Sequence, residues 1–478
     1  PLVVLKIGRS EGGRRAAMAH TGSMVGSDEI VDAVMRQYGI TRVYNLDEMT
    51  ETLAAFHSRL PKGPGLGTIF VSGGAGGLVS DLAQDLGISL PPLAPETVEK
   101  LNKVIPEYGT VGNPLDTTGQ AATQPEITEG SLVGMAEDPN IHTVIYGQAF
   151  PSRIDLDTPV GRVLKSMPDR YPDKTFFIMS LVTGVVQPGI RNDMEPVEPT
   201  TDWGGVPFLQ GAENSLKAIR ALIRYAEFQR NRKAGLLGIV GEPSDKAEQA
   251  RALVRAGNGK PLVERAAKEV LALYDIPVTR EALATTADEA VAAANEIGYP
   301  VVLKIESPDI AHKTEAGGVL LNISNDQDVH DGFERIISSA TAYNPDAAIS
   351  GVLVQEMVSG GREMILGMTQ DSTFGPAVAV GLGGVLVEVL KDVQLGVPPI
   401  SETAGRAMLD RLRGRAILDG VRGAPPADVD ALLGLLSNFS QLCIDLRDEV
   451  AEIDINPLLV FDEGQGARVV DCLIVPMT

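Results

Sequence analysis

Apolar and polar positions along the chain follow two periods, and the switches between them mark out its elements. Leu2–Ile7 (LVVLKI) reads as a buried strand. After a polar loop from Gly8 to Ser27, Ile30, Val31, Val34 and Met35 recur at helical spacing, with Ser27 or Asp28 as cap. Val43–Leu46 as a short strand and Met49–Leu60 as a helix continue a βαβα order, which predicts a parallel sheet. Beyond the Pro/Gly-rich Lys62–Gly67, the strand Gly67–Ser72 runs straight into Gly73-Gly-Ala-Gly-Gly77 and a helix, Leu78–Leu86. Strands at Thr143–Tyr146 and Thr175–Ser180, with helices at Val98–Val104, around Glu126–Met135 and at Ala212–Gln229, predict a second open α/β domain ending near Arg230. Asp155–Trp203 is poorer in regular pattern.

The pattern changes after Arg230. Residues 231–262 read as a linker region with a short helix, Asp245–Arg255. Helices follow at Val263–Tyr274 and Asp288–Ile297, then a strand at Val301–Ile305, a polar glycine-containing loop and a strand at Val319–Ile323. Val352–Met357, Glu363–Thr369, Ala377–Val380 and Val385–Val387 read as further strands and Ala427–Asp445 as a helix. Glu449–Val460 and Ala467–Val475 close the chain as a strand pair. This is an α+β arrangement with antiparallel strands, without repeats or low-complexity tracts.

Composition narrows the function classes. A chain of 478 residues accommodates several domains. A formal net charge of −22 repels phosphate backbones, which argues against general nucleic-acid binding while leaving room for a local basic pocket. The two cysteines, Cys443 and Cys472, build neither a disulfide framework nor a cysteine zinc site, so a cytoplasmic location is expected. No run reaches the ~18 apolar residues of a membrane span. A chain that opens with proline in mid-strand also suggests residues upstream of Pro1.

Four segments carry candidate chemistry. His20 lies in a Gly/Ser/Thr-rich loop before a helix, where a neutral imidazole could attack phosphorus and carry a phosphoryl group; a surface histidine beside a helix cap fits the same pattern. Gly73 to Gly77, at a strand-to-helix junction, could bind an anion on unpaired backbone N–H groups, or be a plain tight turn. Lys304 on a β-branched strand needs a charge partner, which a phosphate held by the following loop (His312, Lys313, Gly317, Gly318) would supply; the alternative is a lysine snorkelling to the strand end. In Glu452-Ile-Asp454-Ile-Asn456-Pro457, Asp454 and Asn456 share a strand face, and a neighbouring strand can add Asp471. Such hard oxygen donors suit Mg²⁺ held together with substrate phosphates, or form a solvated face. Trp203 and Phe208 are either pocket-lining or core.

Together these segments resemble the NDP-forming acyl-CoA synthetase family, related to succinyl-CoA synthetase. The residues that carry the resemblance are KIGRSEGGRRAAMAHTGSMVGSD (Lys6–Asp28), VSGGAGG (Val71–Gly77), VGNPLDTTG (Val111–Gly119), PVVLKIESPDIAHKTEAGGV (Pro300–Val319) and EIDINPLLV (Glu452–Val460), in family order over nearly the whole chain. The resemblance implies flavodoxin-like open parallel-sheet domains followed by an α+β ATP-grasp domain. Residues 1–60 would be the C-terminal half of the ligase domain carrying the phosphohistidine loop, 61–230 a second flavodoxin-like ligase domain, 231–262 a linker and 263–478 the ATP-grasp domain. It implies an ADP-forming ligase that joins a carboxylic acid to coenzyme A using ATP and Mg²⁺. His20 would be the phosphorylated histidine and His312 a second, relaying histidine. Gly73, Gly74, Ala75, Gly76 and Gly77 would stabilise the phosphohistidine. Lys304, Lys313, Gly317, Gly318, Gln355, Glu356 and Met357 would bind ATP, and Asp454, Asn456 and Asp471 the metal. The family's N-terminal CoA-binding portion is absent here and is expected on the same or a separate chain; a homo-oligomer, no nucleic acid and no membrane are also expected. The alternatives are an inactive CoA- or nucleotide-sensing module of a protein acetyltransferase, or a CoA ligase coupled to a lyase step.

Overall fold

The computed structural model describes residues 1–13, 15, 27–149, 158–183, 206–238, 241–310, 313–384, 392–421 and 423–477. His20, His312, Trp203 and the expected strand Val385–Val387 lie outside the described residues. The chain divides into two compact units, the first comprising Pro1–Ser23 and Tyr38–Ala234, the second Met24–Gln37 and Gly235–Thr478. Among the described residues, no helix is long and apolar enough to cross a membrane.

The first unit is built on parallel strands. β1 (Val3–Leu5) pairs with β2 (Thr41–Val43), and the helix Leu46–Ala55 follows. A five-stranded sheet has the order β4-β3-β5-β6-β7, all parallel: β3 Leu66–Phe70, β4 Leu115–Asp116, β5 Thr143–Gln148, β6 Thr175–Ser180 and β7 Phe208–Gln210. β3 and β6 are buried at every residue, as strands covered on both faces must be. One face packs Ile69, Val144 and Ile178 with Leu101, Leu132 and Leu164 from the helices Pro95–Leu101, Pro125–Glu137 and Pro159–Arg170. The other packs Phe70, Ile145 and Phe177 with Val79 and Leu216 from the helices Gly73–Asp85 and Ala212–Lys233.

The second unit contains two antiparallel sheets. The smaller has the order β10-β9-β11-β8: β8 Glu281–Ala284, β9 Val301–Glu306, β10 Val319–Ile323 and β11 Gly351–Glu356. The larger has the order β14-β13-β12-β15-β16, with β17 also on β15: β12 Arg362–Asp371, β13 Gly375–Leu382, β14 Val393–Gly396, β15 Val450–Val460, β16 Ala467–Val469 and β17 Cys472–Pro476. The core under the larger sheet gathers Leu366, Val380 and Ile453 with Leu432, Leu436 and Phe439 of the helix Val429–Asp445 and Val270 and Leu271 of the helix Glu264–Leu273. The helix Asp28–Gln37 belongs to this unit, where the Gln37 amide donates to the carbonyl of Val397 at 2.6 Å and accepts from its N–H at 3.0 Å.

One sequence expectation fails instructively. Ala467–Val475 reads as one strand, yet the structure breaks it into β16 and β17. Both pair with β15, β16 opposite Leu458–Val460 and β17 opposite Val450–Ile455. Pro457 lies between these stretches and has no N–H to give, so the ladder cannot run through. The facing stretch of the chain leaves strand geometry at Val470–Asp471, where the Val470 N–H donates to the Pro457 carbonyl.

Candidate functional site

The two faces of the smaller sheet differ in kind. Side chains alternate along a strand, and Val301, Leu303 and Ile305 of β9 join Val352 and Val354 of β11 in an apolar layer. That layer packs on the helices Ala287–Ile297 and Asp326–Tyr343. The opposite face carries Lys304 and Glu306 of β9, with Gln355 of β11 paired in register to Val302 and to Glu281 of β8. Lys304, Glu306 and Gln355 are nonetheless buried. Leaving such groups unpaired would cost several kcal/mol each, so their partners define the site.

The hub of those partners is Glu264, at the start of the helix Glu264–Leu273. Its Oε1 accepts from Lys304 Nζ at 2.6 Å and from Lys268 Nζ at 2.8 Å, and its Oε2 accepts from Lys313 Nζ at 2.7 Å. Lys268 also donates to Thr279 Oγ1 at 2.9 Å and to Glu281 Oε2 at 2.6 Å. Burial alone would raise the Glu264 carboxyl, but Lys304, Lys268 and Lys313 outweigh it and hold the group well below the usual carboxylate range. Burial likewise works against the Lys313 ammonium, and Glu264 and then Asp471 more than offset it and raise its pKa. Glu281 and Glu306 are pushed up by burial, opposed chiefly by Lys268 for the first and Arg265 for the second.

The glycines before β10 give Lys313 its place. Gly317 has φ +65°, and a Cβ at Gly318 would press into Ile305. With that clearance the loop closes tightly: the Gly318 N–H donates to the Lys313 carbonyl at 2.8 Å, and the Ile305 N–H to the Gly318 carbonyl at 2.7 Å.

The break between β16 and β17 brings in the larger sheet. Asp471 reaches Lys304 at 3.7 Å and Lys313 at 3.8 Å. The Val470 carbonyl accepts from Gln355 Nε2 at 2.9 Å and from Lys304 at 3.4 Å. The Asn456 N–H donates to the Asp471 carbonyl at 3.3 Å, which sets Asn456 beside it. Asp454 and Asn456 stand on the exposed face of β15, alternating with buried Ile453 and Ile455. Although Asp454 stands on the exposed face, the protein around it desolvates its carboxyl and raises it, and the negative charges of Glu452 and Asp471 raise it further. Burial also raises Asp471, opposed first by Lys304. Two carboxylates and an amide oxygen are hard donors of the kind Mg²⁺ takes, too few to complete its shell without phosphate oxygens or water. The mutual repulsion of Asp454 and Asp471 is what a cation would relieve. Among the described residues no group of three or more His, Cys, Asp or Glu is arranged to hold a metal ion.

Gln355 and Glu356 occupy the end of β11, with Met357 next. The Glu356 carboxylate is already engaged: Arg280 donates to it from its backbone N–H at 3.0 Å and from Nε at 2.9 Å, and Arg468 at 2.7 Å. Burial would raise Glu356, and these two arginines bring it below its ordinary value instead. The Met357 N–H is taken by the Pro300 carbonyl at 3.2 Å.

In the first unit, the helix Gly73–Asp85 starts on the glycines themselves, after an extended Ser72 whose side chain makes no capping bond. A Cβ at Gly73 would stand 2.9 Å from Asp116 Oδ2 and one at Gly76 3.1 Å from Pro114 Cβ, whereas Gly77 faces open space. Phe208, the other aromatic singled out, is half-buried in β7 against the apolar layer of that unit. Thus Lys304, Lys313 and Asp471 come together, with Asn456 bonded through its backbone to Asp471 and Asp454 on the same strand face as Asn456. Gly73–Gly77 belong to the other unit.

Glu264, Lys268, Thr279 and Glu281 lie outside the motifs that the sequence offers. A signal for the first two exists in the helical spacing: Glu264, Ala267, Lys268 and Leu271 lie on one stripe, so two charges occupy core-facing positions.

Residues 253–475 match an ATP-grasp domain, 1–56 a succinyl-CoA ligase-like flavodoxin domain and 67–154 a Ligase-CoA domain. The 4-hydroxybutyrate–CoA ligase (ADP-forming) of Nitrosopumilus maritimus is 35% identical over 477 residues, 99% of this chain and 66% of that protein. The acetate–CoA ligase (ADP-forming) I of Archaeoglobus fulgidus is 34% identical over 97% of this chain and 64% of its own length. The beta subunit of acetate–CoA ligase (ADP-forming) II of Pyrococcus furiosus is 46% identical over 45% of this chain and 91% of its own length. The chain thus spans about two thirds of the length of the first two relatives.

Proposed function

We propose, from the premise that this chain belongs to the ADP-forming acyl-CoA synthetase family, that it catalyses acyl-CoA formation from a carboxylic acid, ATP and CoA, releasing ADP and phosphate. The observation that carries this reading is the meeting of Lys304 and Lys313 with Asp471 and Asn456 where the two sheets of the second unit adjoin. The two ammonium groups lie 3.7 and 3.8 Å from the Asp471 carboxylate, close enough for one triphosphate to meet all three. Phosphoryl transfer asks the protein for positioning and charge compensation rather than covalent chemistry. Lys304 and Lys313 would bind the phosphates, and Gln355, Glu356 and Met357 would lie at the nucleotide's base. With the carboxylate of Glu356 held by Arg280 and Arg468, that contact would be to backbone. Asp454, Asn456 and Asp471 would hold Mg²⁺, which bound there neutralises phosphate charge.

His20 and His312 take the covalent roles on the family resemblance. A histidine nitrogen attacks the γ-phosphorus, the bond to the β-phosphate oxygen breaks and ADP leaves. The phosphoryl group passes by way of His312 to His20, where the N-terminus of the helix Gly73–Asp85 would stabilise its charge. A substrate carboxylate oxygen then takes the phosphoryl to give an acyl phosphate. The CoA thiolate attacks the acyl carbon and phosphate departs. This split avoids direct attack of a thiol on an unactivated carboxylate.

The test is a panel of short-chain, branched, dicarboxylic and aryl acids offered with ATP and CoA to the full-length protein, with nucleotide products resolved. ADP appearing with acyl-CoA in equal amounts supports the reading. AMP with pyrophosphate, or no turnover with any acid, overturns it.

A further inference from the structure

We propose that Glu264 is a positioning residue for phosphoryl transfer: one carboxylate that fixes two phosphate-binding lysines, Lys304 and Lys313, from opposite oxygens. The proposal rests on the nucleotide reading of this site. Lys304 comes from β9, an inner strand of the smaller sheet, and Lys313 from the loop before β10. Ammonium groups at the ends of four-carbon stems have little intrinsic order. Here Glu264 Oε1 takes Lys304 at 2.6 Å and Oε2 takes Lys313 at 2.7 Å. The carboxylate's own direction is set by Lys268, which donates to Oε1 at 2.8 Å and is itself tied to Thr279 at 2.9 Å and to Glu281 at 2.6 Å.

This is more than neutralisation of buried charge. The Glu264 side chain is 1% exposed, whereas Lys313 is 19% exposed and the facing Asp471 is 38% exposed. The cluster is therefore closed on the Glu264 side and open on the Asp471 side. Asp471 stands beyond hydrogen-bond distance of both lysines, at 3.7 and 3.8 Å. Each ammonium has three N–H donors. On Lys304, Glu264 takes one donor and the Val470 carbonyl, at 3.4 Å, a second; on Lys313, Glu264 takes one, and the donors that remain are available to phosphate oxygens. A lysine pair already fixed loses less freedom when the phosphates arrive.

Glu264→Gln keeps the shape but cannot serve two ammonium groups. Its carbonyl oxygen accepts from one side, and its NH₂ faces the other as a donor. In the full-length protein, single-turnover labelling from γ-labelled ATP should slow on the order of 10- to 100-fold in Glu264→Gln. Adenosine, which lacks phosphates, should bind with unchanged affinity. Glu264→Asp, which keeps both oxygens on a shorter stem, should recover part of the rate. Labelling of Glu264→Gln at the wild-type rate overturns the proposal. So does adenosine affinity falling in step with the rate while Glu264→Asp restores nothing, because that pattern reports a disturbed fold. If the wild-type protein takes no label from ATP, the nucleotide reading itself has failed; if it labels and Glu264→Gln labels equally, only the role of Glu264 has.

Discussion

The ammonium of Lys304 stands on a strand buried at every residue, and Glu264 shares its charge with Lys268 and Lys313. Replacing it is therefore expected to separate function from folding. In Lys304→Met the apolar stem is retained and Glu264 keeps two cations. Loss of a preorganised cation facing transferring phosphate should slow ATP-dependent labelling by about 10²–10³-fold, while thermal unfolding stays cooperative. Labelling within twofold of wild type would remove Lys304 from the phosphate site. Glu51 has no such compensation. It accepts from the Gln210 N–H at 2.8 Å, yet burial pushes it up to about 7, with Asp47 adding repulsion. Folding thus takes up a proton at Glu51 between its ordinary 4.5 and about 7. The stabilisation is complete below the lower value and is lost as pH rises through the upper one. Glu51→Gln keeps an acceptor for Gln210 and cannot ionise, so its Tm advantage over wild type should be larger near about pH 8 than near about pH 5. An equal difference at both values would show that Glu51 titrates normally.

At the scale of elements, glycines placed by the motif reading separate into those the backbone needs and those it tolerates. A side chain at Gly318 would collide with Ile305, on the strand next to Lys304, so Gly318→Ala should cost about 1–3 kcal/mol and displace the turn that anchors Lys313. Gly77 faces open space within a helix. Gly77→Ala should be neutral or stabilising by up to ~1 kcal/mol. Urea unfolding of both variants checks the contrast, and equal effects would contradict it. The same scale shows what a pattern can carry. The parallel βαβ order, the buried Val301–Ile305 and the alternation around Asp454 were readable because each follows one period. The helix Asp326–Tyr343 follows one period too, through Val329, Phe333, Ile336 and Ala340 behind an Asn325 cap, although it carries none of the motifs. What periodicity could not supply is partnership. Lys304 called for a counter-charge, and the nearest candidate in sequence was a phosphate loop. The structure supplies Glu264, forty residues upstream on another element. Likewise the strand break that frees Asp471 depends on which residue of β15 lies opposite it, and pairing register is a long-range fact.

Across the whole molecule, the proposed reaction divides into a nucleotide half and an acyl half, and the chain's residues divide with it. Lys304, Lys313, Gln355 and Asp471 all belong to the second unit, Gly73–Gly77 to the first. On that proposal a phosphoryl group would pass between residues that belong to different units. If two histidines share that task, their variants should fail in different halves of the reaction. His312→Ala should take up no label from γ-labelled ATP but should still be phosphorylated from acyl-CoA and inorganic phosphate, because the acyl half does not involve the nucleotide. His20→Ala should be silent in acyl-CoA formation under every condition. A single travelling histidine predicts something else: His312→Ala would label normally from both sides, and His20→Ala from neither. Undiminished label in the double variant would place the phosphoryl group on neither residue. Running both labelling directions on the same full-length preparations distinguishes these outcomes, since a variant active from one side has demonstrated its fold when it fails from the other.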